Sequence, residues 1–172
     1  MVIPSSVTSI GDSLFASCSF LEFIDVSPDN PVYADIDGVL FDKREKVLIA
    51  YPDAREGNYT IPKGILSIGS DAFNNCDRLT GIEIPDSVIS IDYGAFRNCD
   101  MLTDLIIPNS VTSISNWSFA FCKGLTSMII PASVVKISSY TFSNNSNMTL
   151  TVTAGSIAEQ YAKENEIPYV LQ

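Results

Sequence analysis

The stretch IPDSVISIDYGAFRNCDMLTDLI, residues 84–106, decides the fold because nearly the same order of residues returns four more times in the chain. Each copy begins with an Ile-Pro pair, and in the main array the prolines recur about every 23 residues, at Pro62, Pro85, Pro108 and Pro131. Pro4 opens an earlier copy, at a distance from Pro62 that is not a multiple of this interval. A unit of this length is too short to enclose a hydrophobic core, so each unit must pack against its neighbours. The sequence therefore predicts a solenoid, a stack of coils that share one core.

Within one unit, the spacing of apolar residues predicts two short strands joined by a corner. In LTGIEIP, residues 79–85, apolar and polar residues alternate, which is the period of a half-buried strand. SVISI, residues 87–91, alternates again, whereas DYGAFRNC, residues 92–99, breaks the alternation in a turn that drops Phe96 into the interior. Successive strands then lie parallel in one elongated, mainly β stack of about five coils.

The repeats divide a single domain, residues 1–172, into four parts. The first repeat spans 1–26, a divergent insert 27–60, the regular repeats 61–152 and a C-terminal cap 153–172. The insert breaks the regular period, and the cap replaces it with a different pattern. We therefore expect the stack to be interrupted near its beginning and covered at its end.

The insert carries the pattern of a β-hairpin. GVLFD and KVLIAY, residues 38–42 and 46–51, flank the charged turn KRE. We expect a divergent coil whose hairpin projects from the stack. Four of the ten basic residues lie in the insert: Lys43, Arg44, Lys46 and Arg55. They predict a local positive edge on an acidic body, whose simplest role is to keep the hairpin solvated.

The C-terminal segment has the pattern of a short helix followed by a strand. Ser156 and Glu159 form a capping box, and Pro168 forbids continuation of the helix. A helix over about 156–165 then covers the last coil, and PYVL, residues 168–171, adds a final strand. We expect this cap to be structural.

Four cysteines recur at the same position of their repeat copies, on the carboxyl side of the repeat proline: Cys18, Cys76, Cys99 and Cys122. Their spacing differs from the close cysteine pairs of a zinc site, and the chain contains no histidine, so no metal or other cofactor is predicted. A disulfide between Cys99 and Cys122 stays open, although equivalent side chains on stacked coils point in parallel rather than toward each other. We favour buried, reduced thiols that fill a small interior position, with a reactive thiol as the third alternative.

Composition argues against several functional classes. Twenty acidic residues against ten basic ones give a net charge of −10, which repels nucleic-acid phosphate, so no nucleic-acid partner is predicted. Membrane insertion is not predicted either, because no stretch approaches the roughly 20 apolar residues that a spanning helix needs. Without a histidine or a glycine-rich phosphate loop, no catalytic constellation is visible, and enzyme activity is not expected.

The N-terminal sequence MVIPSSVTSI begins inside a repeat. It lacks the charged and apolar regions of a secretory signal, and natural repeat arrays rarely open without a capping unit. We expect the chain to be a fragment of a longer protein whose targeting signal lies outside this numbering.

Two surfaces are candidate binding sites because their positions vary in character between repeats. One comprises the outward strand positions Phe23, Asp25, Glu83, Asp104, Ile106, Ser127 and Ile129. Ile106 and Ile129 share a column that the pleat points outward, and neighbouring exposed isoleucines indicate a contact patch. The other surface is the corner set Tyr93, Trp117 and Tyr140, in which Trp117 and Tyr140 share a column and are expected to stack. These rings suit a protein or sugar ligand, or they simply shield the corner.

The repeat unit resembles that of the BspA-like leucine-rich repeats of bacterial surface proteins, which reads IPxSVTxIGxxAFxxCxxLTxI. IPSSVTSIGDSLFASCSFLEFIDV (3–26) and IPKGILSIGSDAFNNCDRLTGIEI (61–84) match it almost position by position, and the insert and the ending also resemble segments of such arrays. The chain departs from the unit at Asn145 in place of Cys and at Ser118 and Thr141 in place of Ala. The resemblance implies a right-handed leucine-rich-repeat solenoid, secretion or exposure at the cell surface, and adhesion to host proteins or to other cells. It implies no catalytic residue.

The leading functional hypothesis is therefore a non-catalytic protein-binding or adhesion module of a secreted or cell-surface protein, whose partner is a host or cell-surface protein. Two alternatives stay open. One is a glycan-binding module that uses the corner set, and the other is a structural spacer in a larger surface protein.

Overall fold

The chain folds as a β-solenoid. A computed structural model describes residues 1–44 and 46–172 and winds them into about seven turns, spaced about 23 residues apart, with one short helix near the C terminus. The sequence predicts the solenoid and its period, but the expectation of about five coils is too low. The divergent insert forms a turn of its own, and the segment after Met148 adds further strands to the stack.

Short strands and a helix follow one another along the described residues. Their order is β1 Val2–Ile3, β2 Asp25–Val26, β3 Tyr33–Ile36, β4 Val39–Asp42, β5 Val47–Ala50, β6 Gly57–Thr60, β7 Ser67–Ile68, β8 Leu79–Glu83, β9 Ser90–Ile91, β10 Asp104–Leu105, β11 Ser113–Ile114, β12 Ser127–Ile129, β13 Lys136–Ile137, β14 Thr149–Val152, α1 Ile157–Glu164 and β15 Tyr169–Leu171. In the regular coils, the strands before the repeat proline form a first side of the solenoid, and the strands after it form a second side.

Both sides are parallel ladders in which equivalent residues of neighbouring coils lie opposite each other. On the first side, β6, β8 and β10 pair in one run, β12, β14 and β15 in another, and β1 pairs with β2. On the second side, β7, β9, β11 and β13 pair in sequence. Each regular coil therefore contains two strands and a corner, as the apolar spacing predicts.

Aromatic rings from successive coils form the centre of the core. Phe73, Phe96 and Phe119 are fully buried, and their ring centroids lie 4.9 Å and 5.3 Å apart in nearly parallel planes. Phe142 extends the row at 5.6 Å from Phe119. Full burial of one such side chain contributes about 1.5–3 kcal/mol, and it requires the coils on either side. The repeated phenylalanine therefore makes each coil depend on its neighbours.

The insert forms a hairpin that is built into the second side. β4 is antiparallel to both β3 and β5, between which it lies, and β5 then pairs in parallel with β7. Val39, Leu40 and Leu48 are fully buried, so the expectation of a projecting hairpin is wrong. Three consecutive residues of β4, Val39 to Phe41, are buried, so this strand buries side chains on both faces of the sheet, whereas a projecting hairpin leaves one face in water. In β5 the buried residues alternate with half-buried ones. The expected KRE turn includes residue 45, which lies outside the described residues.

The basic residues of the insert do not act as one edge. Three are exposed near the turn: Lys43, Arg44 and Lys46. The Arg55 guanidinium instead lies over the rings of Tyr51 and Tyr59, 5.3 Å and 5.9 Å from their centroids. Arg55 also donates a hydrogen bond to the carbonyl oxygen of Asp37, in the turn that joins β3 to β4. It therefore fixes the hairpin to the following coil.

The corner of each regular coil depends on two left-handed residues. One column of left-handed positions holds Ser13, Asp71, Gly94, Trp117 and Tyr140, and the other holds Ser17, Asn75, Asn98, Phe121 and Asn144. The left-handed residues turn the chain so that N–H groups of the corner point toward the next coil. The Phe96 N–H donates to the Ser118 carbonyl at 2.8 Å, and the Asn98 N–H donates to the Ala120 carbonyl at 3.0 Å. We call this series of bonds, from each corner to the next, the corner ladder.

Helix α1 covers the last coil. The Ser156 hydroxyl accepts a hydrogen bond from the Glu159 N–H at 3.2 Å, and the Glu159 carboxylate accepts one from the Gly155 N–H at 2.6 Å. The predicted cap is thus present, and α1 begins at Ile157, one residue later than predicted. Tyr161 is among the residues that α1 buries against the stack, and β15 then extends the first side beyond β14.

Candidate functional site

Outward side chains of the first side form the main candidate surface. Ile106 and Ile129 occupy the same position of consecutive coils, and their side chains are 77% and 54% exposed. The pairing of β8 with β10 places Glu83 beside Ile106. Ser127 belongs to β12, the equivalent strand of the next coil, which pairs with β14 rather than with β10, and it holds the repeat position of Asp104. We call Glu83, Asp104, Ile106, Ser127 and Ile129 the strand face.

The strand face has an apolar centre and an acidic border. Leu105 and Met128 point inward and are buried, so the alternation of the strands leaves the isoleucines outside. Glu83 and Asp104 are exposed carboxylates beside them. The strand face carries no basic side chain among its described residues, so its local charge follows the negative charge of the whole chain.

Two residues that the sequence groups with this surface lie apart from it. Asp25 belongs to β2, which pairs with β1 and not with the ladder of β6, β8 and β10. Phe23 covers Gly38, in the turn that joins β3 to β4, so closely that a Cβ on Gly38 would clash with the Phe23 ring. The Ile24 N–H donates to the Gly38 carbonyl at 3.0 Å, so the hairpin turn lies next to β2 on the first side. Packing of the insert therefore separates Phe23 and Asp25 from the strand face.

Two rings of the corner set, Trp117 and Tyr140, form a cluster with Arg97 and Phe121, which the sequence analysis did not indicate. Trp117 and Tyr140 stack with their centroids 5.1 Å apart, and Phe121 lies parallel to Trp117 at 6.1 Å. The Arg97 guanidinium lies 5.5 Å from the ring centroids of both Trp117 and Phe121. Tyr93 is exposed but makes no ring contact with this cluster among the described residues. We call Arg97, Trp117, Phe121 and Tyr140 the aromatic corner.

The three rings of the aromatic corner occupy left-handed backbone. Trp117, Phe121 and Tyr140 have φ of 61°, 62° and 62°, whereas the equivalent positions of other coils hold Gly, Asn, Asp or Ser. Left-handed backbone costs a residue with a Cβ roughly 1–2 kcal/mol. A stacked pair returns about 0.5–1.5 kcal/mol, and an exposed cation–π contact about 0.5–1 kcal/mol. Stacking therefore only offsets the strain, and stability gives little reason for aromatic residues at these positions.

Three of the four cysteines lie in the interior. Cys76, Cys99 and Cys122 are buried free thiols, whereas Cys18 is exposed. Burial raises the pKa of the Cys99 thiol well above its usual value and that of Cys122 to about 12. The nucleophilic thiolate is therefore scarce at neutral pH. Each buried thiol lies against the preceding coil, so Cys18, in the first coil, is left uncovered.

Asp53 takes the place of the repeated cysteine in the insert. It lies 23 residues before Cys76, and its carboxylate is 4.0 Å from the Cys76 sulfur. Its Oδ2 atom is buried and has no hydrogen-bond partner among the described residues. Burial, and secondly the negative charge of Asp77, raise the pKa of the Asp53 carboxyl from 3.8 to about 6, while a hydrogen bond from the Cys18 backbone opposes the rise. Asp53 is therefore an acidic residue inside a column of neutral side chains.

The repeats match a known family along most of the chain. The sequence profile of the BspA type leucine rich repeat region matches six copies over residues 1–43 and 53–163. The chain belongs to the BspA-type leucine-rich repeat family. The comparison of this BspA-type chain with curated protein sequences finds no significant match. Among the described residues, no helix has the length and apolar character needed to cross a membrane.

Solved structures of bacterial leucine-rich repeat proteins share the fold of this BspA-type chain. A leucine-rich repeat protein from Eubacterium ventriosum is 31% identical, with a TM-score of 0.77, over 88% of this chain and 41% of that protein. A leucine rich cell surface protein from Faecalibacterium prausnitzii is 34% identical, with a TM-score of 0.73, over 94% and 49% of the two chains. The pneumococcal vaccine antigen PcpA is 20% identical, with a TM-score of 0.71 over 99% of this chain and 55% of that one, and it shows the fold alone. The chain thus spans about half the length of these proteins.

Proposed function

We propose that this BspA-type chain is a non-catalytic protein-binding module of a secreted or cell-surface protein, and that its partner is a host or cell-surface protein. The observation that carries the proposal is the exposure of Ile106 and Ile129, 77% and 54%, at equivalent positions of consecutive coils. Covering neighbouring apolar side chains with a partner removes their surface from water, which favours association. The family and the relative named as a cell surface protein support the same function.

The charges around the isoleucines specify the partner further. Glu83 and Asp104 border the apolar centre, and the chain carries a net charge of −10. A complementary partner surface therefore presents an apolar contact residue surrounded by Lys and Arg. Attraction between such surfaces accelerates association and weakens as salt is added. We expect the association rate to fall when the ionic strength is raised.

Substitution of the isoleucines tests the proposal. Ile106→Asp combined with Ile129→Asp places charge in the apolar centre, while both positions are exposed, so the fold is retained. Surface plasmon resonance against a panel of purified matrix and cell-surface proteins is expected to show at least about tenfold weaker binding, since central interface residues carry most of the affinity. The matched control is Ile89→Asp with Val135→Asp, which are 48% and 71% exposed elsewhere on the coils. A partner that both double variants bind equally well would contradict the strand face as the site.

Glycan binding through the aromatic corner, with Tyr93 as a neighbouring exposed ring, is a second candidate function. The observation that favours it is the left-handed backbone of Trp117, Phe121 and Tyr140. Stacking of the rings offsets the strain of this backbone but adds no net stability, so stability alone does not explain the rings. A glycan array tests it: loss of signal in Trp117→Ala, with the strand-face variant unaffected, supports this function. If no variant changes any partner, the chain is a spacer in a larger surface protein.

A further inference from the structure

A cleft opens where the corner of the last regular coil meets the cap. Its volume is about 510 Å³, within the range of roughly 300–1,000 Å³ that small-molecule sites occupy. Phe142, Met148 and Tyr161 are buried and form an apolar floor. Ile167 and Pro168 extend this apolar surface from the cap. The cleft is therefore concave, with an apolar floor and with polar and apolar surface in about equal parts.

The cleft exists because the corner ladder stops there. In the preceding coils, the second left-handed residue donates its N–H to the next coil, as Asn98 does to Ala120 at 3.0 Å and Phe121 to Ser143 at 2.9 Å. The equivalent Asn144 N–H has no acceptor among the described residues, because the chain continues into α1 rather than into another corner. Asn144 keeps the left-handed φ of 63°, so this donor is already oriented as in the ladder.

The cap covers only part of the last corner. The Tyr161 hydroxyl lies against Thr141 and Phe142, whose polar groups oppose the rise that burial causes in the pKa of Tyr161. No cap residue in the described chain accepts a hydrogen bond from the Asn144 N–H. A backbone donor without a partner in a concave site is satisfied by water or by an acceptor on a ligand.

Polar groups on the walls determine which ligand fits. Ser143, Ser146 and the Asn144 side chain bring hydroxyl and carboxamide groups, which both donate and accept hydrogen bonds. Glu166 is the charged residue in the described lining, and the chain has a net charge of −10, so anions are disfavoured. Asn165 is less available, because its amide already donates to the Tyr161 carbonyl at 2.9 Å. The chemistry favours a neutral ligand with several hydroxyl groups and an apolar face.

We propose that this cleft binds the end of a neutral glycan. A sugar hydroxyl or an acetamido carbonyl accepts from the Asn144 N–H, and the apolar face of the ring packs on the floor. Hydroxyl and carboxamide groups on the walls then pair with the remaining sugar hydroxyls. The cleft shares no residue with the strand face or the aromatic corner, so the proposal is independent of both functions proposed above.

Saturation-transfer NMR and calorimetry with N-acetylglucosamine and its short oligomers test the proposal on the full chain. Ser146→Trp places an indole at an exposed position of the lining and is expected to abolish detectable binding. Asn144→Gly keeps the N–H and the left-handed backbone but removes the carboxamide, and is expected to weaken binding about tenfold, as for the loss of one hydrogen-bonding group. The matched control, Asn98→Gly, makes the same change in a corner covered by the next coil and leaves affinity unchanged.

Several outcomes would overturn the proposal. One is unchanged affinity in Ser146→Trp while its circular dichroism matches that of the parent chain. Others are failure of neutral sugars to bind the parent chain at roughly 10 mM, or a preference for an acidic sugar or a peptide. Loss of sugar binding in Trp117→Ala, with the cleft variants unaffected, would move the site to the aromatic corner. The strand-face variant is expected to retain sugar affinity, so this test stands even if the protein-binding function fails.

Discussion

The Cys99 thiol donates a hydrogen bond to the carbonyl oxygen of Phe73, one coil earlier, across 3.0 Å. Cys122 repeats the contact with its own preceding coil at 2.9 Å. Asn145, at the end of the column, replaces the thiol with an amide that donates to the Phe119 carbonyl at 2.7 Å. From Cys99 to Asn145, the column is therefore a line of side-chain donors that satisfy carbonyl groups inside the core, where an unpaired carbonyl is costly.

Thiol labelling is expected to separate Cys18 from the other three cysteines. Cys18 is exposed, whereas Cys76, Cys99 and Cys122 are buried and burial raises their pKa values, so little thiolate forms. A chromogenic disulfide reagent at pH 8 is expected to label a single thiol rapidly in the native protein and all four after denaturation. Rapid labelling of more than one thiol, or a native mass lower by two hydrogens, would contradict buried, reduced cysteines.

Replacing Cys99 by alanine is expected to lower the free energy of unfolding by about 1–2 kcal/mol. The change leaves a small cavity and an unpaired carbonyl at Phe73. Urea unfolding measures the loss, and Cys18→Ala is the matched control, expected to change stability by less than about 0.5 kcal/mol because Cys18 is exposed. Equal stability of the two variants would show that the thiol does not stabilise the core.

Asp53→Asn is expected to stabilise the protein at neutral pH. Folding raises the pKa of Asp53 from 3.8 to about 6, so the folded chain binds this proton more tightly than the unfolded chain. The cost of the charged carboxylate is absent below about pH 4, grows as the pH rises toward 6 and is complete above it. A shift of this size corresponds to roughly 2–3 kcal/mol. Asp53→Asn removes this cost.

Urea unfolding of parent and variant at pH 4 and pH 7.5 measures the effect of Asp53→Asn. The variant is expected to be more stable at pH 7.5 by about 2 kcal/mol and nearly equal to the parent at pH 4. Asp77→Asn, which removes only the neighbouring charge, is expected to give a smaller gain. A difference that is the same at both pH values would rule out titration of Asp53 as the cause.

Phe121→Asn is expected to change stability by less than about 1 kcal/mol, although it removes a large aromatic side chain. Asparagine is the residue of Asn75 and Asn98 in the same column, and it tolerates the left-handed backbone better, so relief of strain offsets the lost ring contacts. Phe119→Ala removes a ring of the buried phenylalanine row and is expected to lower the free energy of unfolding by about 3–5 kcal/mol. Thermal and urea unfolding compare the two, and a loss above about 2 kcal/mol in Phe121→Asn would show that the ring is structural.

The strict period made most of the fold predictable. A shift by one repeat maps Phe96 onto Phe119 and Ile106 onto Ile129, so the interior row and the outward column follow once the strand alternation is recognised. The C-terminal helix is predictable for a local reason, because Ser156 and Glu159 form a cap without help from the rest of the chain.

Features that depend on contacts outside the period were not predictable. The hairpin is docked by Phe23 against Gly38 and by Arg55 over the Tyr51 ring, and no repeat copy indicates these contacts. The sequence shows that Phe121 stands where other repeats have asparagine. It does not show that the backbone there is left-handed, which is what makes an aromatic residue unusual at this position. The cleft beside Asn144 depends on how little of the last corner the cap covers, which is a property of tertiary packing.

Every bond of the corner ladder has its donor in the earlier coil and its acceptor in the later one. The two edges of each corner are therefore chemically unlike: N–H donors face the following coil, and carbonyl acceptors face the preceding one. Two copies cannot satisfy these groups by joining identical ends, since a twofold contact sets donor against donor. Joining head to tail would instead generate an open filament. By burying Tyr161 against the last coil, the cap blocks part of the end from which such a filament would grow.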